Sequence, residues 1–171
     1  MAADVNNYYI GKGIVSFKKD GEMSFRDVGN VPEFEFTPEI EELEHFSSRE
    51  GVRSNDRTIV LSRSAQVRMV MEEWTLENLA IALLGEVVPG EPWRYEVFSA
   101  NAVEGELKFV GTNEVGRTYE LALNSVTFLP GAALQFISEE WGRIEVTGRC
   151  ATVGGSFGTL TDLEEASSGS G

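Results

Sequence analysis

Apolar and polar residues alternate most cleanly over Arg57–Met71. Ile59, Leu61, Ala65, Val67, Met69 and Met71 fall on one side, and Thr58, Ser62, Ser64, Gln66 and Arg68 on the other, with Val60 and Val70 near the ends. A repeat of two residues is the mark of a strand with one buried face. Val31–Leu43 alternates as well: Phe34, Phe36 and Ile40 face one way, and Glu33, Glu35, Thr37, Glu39 and Glu41 the other. The two segments flank a polar connection, Glu44–Asp56, and predict a long hairpin. Globular strands hold about 5–6 residues and hairpin loops about 2–5. These segments are longer, and Arg63 interrupts the apolar side. One reading is a hairpin whose tip leaves the domain for a partner. The other is two ordinary short strands joined by an acidic loop.

The remaining chain reads as β with one exception. Residues 1–12 form an extended arm in which Tyr8, Tyr9 and Ile10 dock on a neighbour or on the chain's own core. Ile14–Phe17 and Met23–Val28 read as strands around the turn Lys19-Asp20-Gly21-Glu22, where Asp-Gly is the hairpin cue. The exception is Glu72–Leu84. Thr75 can cap a helix there, and Leu76, Leu79, Ala80, Leu83 and Leu84 recur at helical spacing, with Ile81 and Ala82 beside them. Gly85 is placed to end the helix in a left-handed turn. Pro89-Gly90-Glu91-Pro92 reads as a rigid loop. Trp93–Phe98 then leads into Leu107–Val110, followed by Arg117–Leu129 (Tyr119, Leu121, Leu123 and Leu129 on one side), Leu134–Ile137 and Arg143–Val153. Short strands at regular turn spacing predict a mainly β fold, an antiparallel sandwich or barrel. The helix (about 75–84) flanks it and a long hairpin loop (about 44–56) projects from it. One domain over 1–160 and a flexible Gly/Ser-rich tail over 161–171 complete the expectation.

Charge narrows the function. The chain carries 14 basic and 28 acidic residues, a formal net charge of −14. Tight binding of nucleic acid needs clustered Lys and Arg, so a DNA-gripping role is not expected. The charges are also segregated. Residues 33–44 hold Glu33, Glu35, Glu39, Glu41, Glu42 and Glu44 and no base, whereas 49–68 hold Arg49, Arg53, Arg57, Arg63 and Arg68 against Glu50 and Asp56. One limb of the hairpin is negative and the other positive. The limbs either pair with each other or set register between subunits. The single cysteine, Cys150, allows no internal disulfide and suits a buried apolar role. No signal-peptide pattern opens the chain, and the longest apolar run, Leu79–Leu84, is far below the ~20 residues that cross a bilayer. Folding in a cytoplasm, without a membrane partner, is the expectation.

Chemistry is sparse. His45 is the one histidine, so neither a histidine-pair metal site nor a Cys–His set is available. The acidic run Glu39–Glu44 lacks the spacing of a calcium loop. Gly154-Gly155-Ser156-Phe157-Gly158 fits Gly-x-Ser-x-Gly, but no histidine follows it, as a nucleophile elbow requires. Gly11-Lys12-Gly13 lacks the rest of a dinucleotide loop. No enzyme, no cofactor and no metal are expected.

Several stretches resemble the tail tube proteins (major tail proteins) of long-tailed bacteriophages. They are Gly11-Lys-Gly-Ile-Val-Ser-Phe, Phe25-Arg-Asp-Val-Gly-Asn-Val, Glu41-Glu-Leu-Glu-His-Phe-Ser-Ser-Arg-Glu-Gly-Val-Arg with the strand to Met71, and Leu76-Glu-Asn-Leu-Ala-Ile-Ala-Leu-Leu-Gly. The resemblance covers the first half well and the second in general character. It implies six copies per ring and rings stacked into a hollow tube in the virion tail, through which DNA passes without tight binding. It places inter-ring contacts at Glu44, His45, Phe46, Ser47, Ser48, Arg49, Glu50, Gly51, Val52, Arg53 and Arg57, and helix packing at Leu76, Leu79, Ala80, Leu83 and Leu84. The implied partners are the chain itself and other tail proteins: tape measure, tail terminator and distal tail protein. Tubes of contractile tails, tail-like bacteriocins, gene transfer agents and type VI secretion share the implied fold. A rival of another class is a monomeric carbohydrate-binding sandwich using Trp93, Tyr95 and Trp141.

Overall fold

The computed structural model describes residues 4–49, 51–88, 90 and 92–164. The expected tail beyond Glu164, the first three residues of the arm, Glu50, and Pro89 and Glu91 of the expected rigid loop lie outside them.

The protein is mainly β and antiparallel, and among the described residues it has the strands and the one α-helix that follow. Ten strands follow in order: β1 (Gly13–Lys19), β2 (Arg26–Asp27), β3 (Glu33–Ser47), β4 (Ser54–Met71), β5 (Glu86–Val88), β6 (Arg94–Glu96), β7 (Val103–Gly111), β8 (Tyr119–Leu129), β9 (Ile144–Cys150) and β10 (Gly158–Asp162). Helix α1 (Leu76–Leu83) lies between β4 and β5. Seven strands run β2-β1-β7-β8-β9-β4-β3, and β10 pairs with β8 as the eighth; β5 and β6 form a separate ribbon. The sheet is open, not a closed barrel, but it curls over itself. Phe34 of β3 stacks on Phe109 of β7, rings 5.6 Å apart and 11° from parallel, although three strands lie between them in the sheet order. The core sits inside the curl. Val15 and Phe17 meet Leu107, Leu123, Val126 and Phe128 there, with Ala65, Val67, Met69 and Met71 of β4 and Val146 of β9. Cys150 is buried as expected, and burial pushes its thiol up to about 11.

Helix α1 closes one end of the core. The Thr75 hydroxyl accepts the Asn78 N–H (3.2 Å), the expected cap. Its stripe and its ending differ from expectation. The buried positions are Asn78, Ile81 and Leu84, whereas Leu76 is 42% exposed and Leu79, Ala80 and Leu83 are half-buried. Asn78 turns the helix this way because its side chain satisfies three neighbours. Its amide donates to the carbonyls of Val28 (2.8 Å) and Glu73 (2.9 Å), and its oxygen accepts from Arg26 (2.9 Å). The left-handed residue is Leu84 (φ 45°), not Gly85. Gly85 is needed for space, since a Cβ there would stand 3.0 Å from the Glu96 carbonyl.

Several strand expectations are corrected. Trp93–Phe98 does not lead into β7; its Arg94–Glu96 pairs with β5. The return strand expected at Met23–Val28 shortens to Arg26–Asp27, and Met23 is fully exposed. No strand forms at Leu134–Ile137. Leu129 does not share the inner side with Leu123. An irregularity opposite Gly105/Leu107 shifts the buried set of β8 from Leu123 to Val126 and Phe128. The Gly/Ser stretch is not wholly a tail. Gly154 and Gly155, both at positive φ, make a turn between Val153 and Ser156, and β10 follows. The N-terminal arm lies along its own body. Ile10 bridges to Val115, and the Tyr9 ring is tilted against that of Tyr119 at 6.2 Å.

Candidate functional site: a projecting two-stranded arm

Strands β3 and β4 pair without a break from Glu33 opposite Val70 to Ser47 opposite Ser54. Only their lower part belongs to the body. β9 pairs with β4 over Ala65–Met71, and there the inward side chains are buried. Above Ala65 every residue of β4 is exposed, as is every residue of β3 from Thr37 to Phe46. At about 3.3 Å per residue this ribbon stands roughly 30 Å clear of the sheet. The hairpin therefore does leave the domain. Its loop is shorter than the expected 44–56, because the strands continue to Ser47 and resume at Ser54. Glu44, His45, Phe46 and Ser47 are strand residues, Ser48, Arg49, Gly51, Val52 and Arg53 belong to the turn, and Arg57 is on β4.

Two irregularities shape the arm. Pairing steps from Glu41 opposite Ser62 to Glu42 opposite Val60, so Leu61 is an extra residue of β4. Because strand faces alternate, one extra residue exchanges them. Ile59 moves opposite Leu43, onto the side that carries Glu39 and Glu41 nearer the body, and leaves the side of Ala65, Val67 and Met69 where alternation placed it. The second step, between His45 and Phe46, passes over Asp56. There His45 Nδ1 lies 2.6 Å from Asp56 Oδ1, and Asn55 accepts the Arg57 N–H (3.1 Å) and donates to Thr58 (3.2 Å). Local side chains hold the upper arm in shape.

The base is clamped by ions. Arg68 donates to Glu33 (2.8 Å) and, through Nε and Nη2, to both oxygens of Glu145 (3.1 and 3.0 Å), with Glu35 at 3.7 Å. Hydrogen bonds from Arg68 hold the Glu145 carboxyl below its usual value, and those carboxylates hold Arg68 firmly protonated. Arg143 adds contacts of 3.8 Å to Glu33 and Glu72. Higher up, the expected pairing of limbs does not occur. Glu41 accepts from Ser62 (2.9 Å) and Glu39 from Ser64 and Gln66 (3.4 Å), while Glu42 and Glu44 lie opposite Val60 and Thr58. Arg63 lies opposite Ile40, and Arg57 opposite His45. Among the described residues, Glu39, Glu41, Glu42, Glu44, Arg53, Arg57 and Arg63 form no ion pair. Ile40, Leu43, Phe46, Val52, Ile59, Val60 and Leu61 are all more than 40% exposed.

Other sequence candidates fall elsewhere. The Ser156 hydroxyl is held in its turn by Gly158, which a strand follows, so the helix a nucleophile elbow needs is not there. Tyr95 lines one cleft with Phe17 and Ile81, and Trp141 another with Trp74 and Phe136; the proposed sugar-binding aromatics do not converge. Among the described residues, no three His, Cys, Asp or Glu side chains are placed to hold a metal ion. None of the described helices is long and apolar enough to cross a membrane. The arginine clamp and Asn78 are the residues that sequence reasoning missed. Arg68 was visible as an arginine facing glutamates, but Glu145 is 77 positions away.

Sheet and arm together define a class: a mainly β protein with a long two-stranded projection. Residues 8–94, just over half of the chain, match the family described as "Protein of unknown function UCP028589", and the chain belongs to that family. The match takes in β1, the whole arm and the helix. No curated protein matches the chain.

Proposed function

We propose that this chain is a structural, non-catalytic subunit that assembles with copies of itself into stacked, hollow rings of six, forming the tail tube of a long-tailed bacteriophage or a related tail-like particle. The observation that carries this reading is the arm. An isolated two-stranded ribbon is marginal in water, and unpaired strand edges are normally short, charged or covered. This ribbon is long, with seven large apolar side chains exposed on it. Such a surface makes physical sense when another copy covers it. A body supplying one head-to-tail contact and an arm supplying a second generate a stack of rings.

The net charge of −14 suits the channel of such a tube, because a negative wall repels phosphate and lets DNA slide. Tape measure, terminator and distal tail proteins are the further partners of this reading, and the virion tail its location. Negative-stain electron microscopy tests it. The purified protein at high concentration is expected to form tubes. A variant with residues 39–64 replaced by an Asn-Gly turn is expected to stay folded and form none. Tubes of normal length from that variant would overturn the proposal.

A further inference from the structure

The arm has two long backbone edges, and neither has a strand partner among the described residues. β3 ends the sheet order, so its outer edge is open throughout; β4 loses β9 above Ala65, so its edge is open from Ser54 to Ser64. The edges carry opposite charge. Glu39, Glu41, Glu42 and Glu44 lie on the first, and Arg57 and Arg63, with Arg53 at the turn, on the second, none of them in an ion pair among the described residues.

We infer that the two edges are partners across neighbouring copies: the basic edge of β4 in one copy adds to the acidic edge of β3 in the next, extending one antiparallel sheet from arm to arm. This rests on the self-assembly proposed above and names the contact within it. Direction fits. β3 runs out from the body and β4 returns, so arms that point the same way set β4 antiparallel to the next β3. Level fits as well. Arg63 stands opposite Ile40 and Arg57 opposite His45 in one arm. Arms of equal reach side by side therefore set Arg63 opposite the neighbour's Ile40, with Glu42 diagonal to it on the same face and within reach of its long side chain. The like-edge alternatives set Glu against Glu or Arg against Arg, which opposes pairing. Backbone hydrogen bonds supply adhesion, as in strand addition generally, and charge selects the head-to-tail order. Because each copy offers one edge of each kind, the contact propagates around a ring instead of stopping at a dimer.

Charge reversal of one limb at a time tests this. One variant carries Glu41→Lys, Glu42→Lys and Glu44→Lys, and has two basic edges. The other carries Arg53→Glu, Arg57→Glu and Arg63→Glu, and has two acidic edges. Among the described residues, none of the six has an ion partner in the arm to lose. Circular dichroism melts are expected to match wild type. If a triple variant melts early, Glu42→Lys and Arg63→Glu alone carry the same comparison. Neither variant alone is expected to sediment as assemblies, while their equimolar mixture regains them. The inference is overturned if either folded variant assembles alone as wild type does, or if the mixture of folded variants stays monomeric while wild type assembles. A wild type that never assembles overturns the proposed function itself, and this contact with it.

Discussion

Asn78 shows how a single residue sets an element's orientation. It lies on the buried side of the helix at 0% exposure and ties that helix to the Val28 carbonyl and to Arg26. In the sequence it lies off the stripe of Leu76, Leu79, Ala80, Leu83 and Leu84, and spacing rules judge a polar residue by type and not by its partners. Thr75, whose role is local, was legible. Replacing Asn78 with Leu strands two carbonyls and a guanidinium, so a loss of about 2–3 kcal/mol is expected, or roughly 5–10 °C of melting temperature. Calorimetry checks this. Arg68 and Glu145 make a second residue-scale prediction. The folded carboxyl of Glu145 sits below its ordinary value. Its contribution is therefore complete above the unfolded carboxylate pKa of ~4.3 and fades as pH falls through the lower folded value. Wild type is expected to exceed Arg68→Met in urea midpoint at pH 7, with the gap closing toward pH 3. An equal gap at both pH values would show that the clamp is not ionic.

At the scale of elements, the arm was visible and its details were not. Alternation located Ala65, Val67, Met69 and Met71 correctly, because the body enforces a single register there. Above Ala65 no core enforces anything, and the extra Leu61 exchanges the faces. Local pattern cannot reveal such a step, since each strand alternates normally on either side of it. The expected strand at Leu134–Ile137 and the expected lead of Trp93–Phe98 into β7 failed for a related reason: apolar residues there, such as Ile137 and Trp93, stay exposed. Deleting Leu61 removes the extra residue and with it the added bend and twist of the bulge, while Ile59 stays opposite Leu43. The expected outcome is a melting temperature within about 2 °C of wild type and loss of assembly by sedimentation velocity, because the upper arm then points elsewhere. Preserved assembly would mean that the bend at Leu61 has no role in the contact.

At the scale of the whole molecule, the open sheet and the clamped base carry an arm whose apolar residues are exposed. Fold class, the single helix and a hairpin leaving the body could be read from residue order because each is set by periodicity. The path of the sheet, with β3 curling back onto β7, could not, since Phe34 and Phe109 are joined only by the folded chain. Contacts between exposed charges weaken with screening, whose length falls from about 10 Å at 0.1 M salt to about 3 Å at 1 M. Assembly is accordingly expected to slow as salt rises from 0.05 to about 0.5 M, followed by light scattering. Insensitivity to salt would remove the charged limbs from the interface. The central claim is that another copy covers the arm, and amide hydrogen exchange reads this directly. Peptides spanning residues 39–64 are expected to exchange quickly in dilute monomer and far more slowly in assembled protein, while the core strands stay protected in both. Equally fast exchange of the arm in the two states would contradict the account.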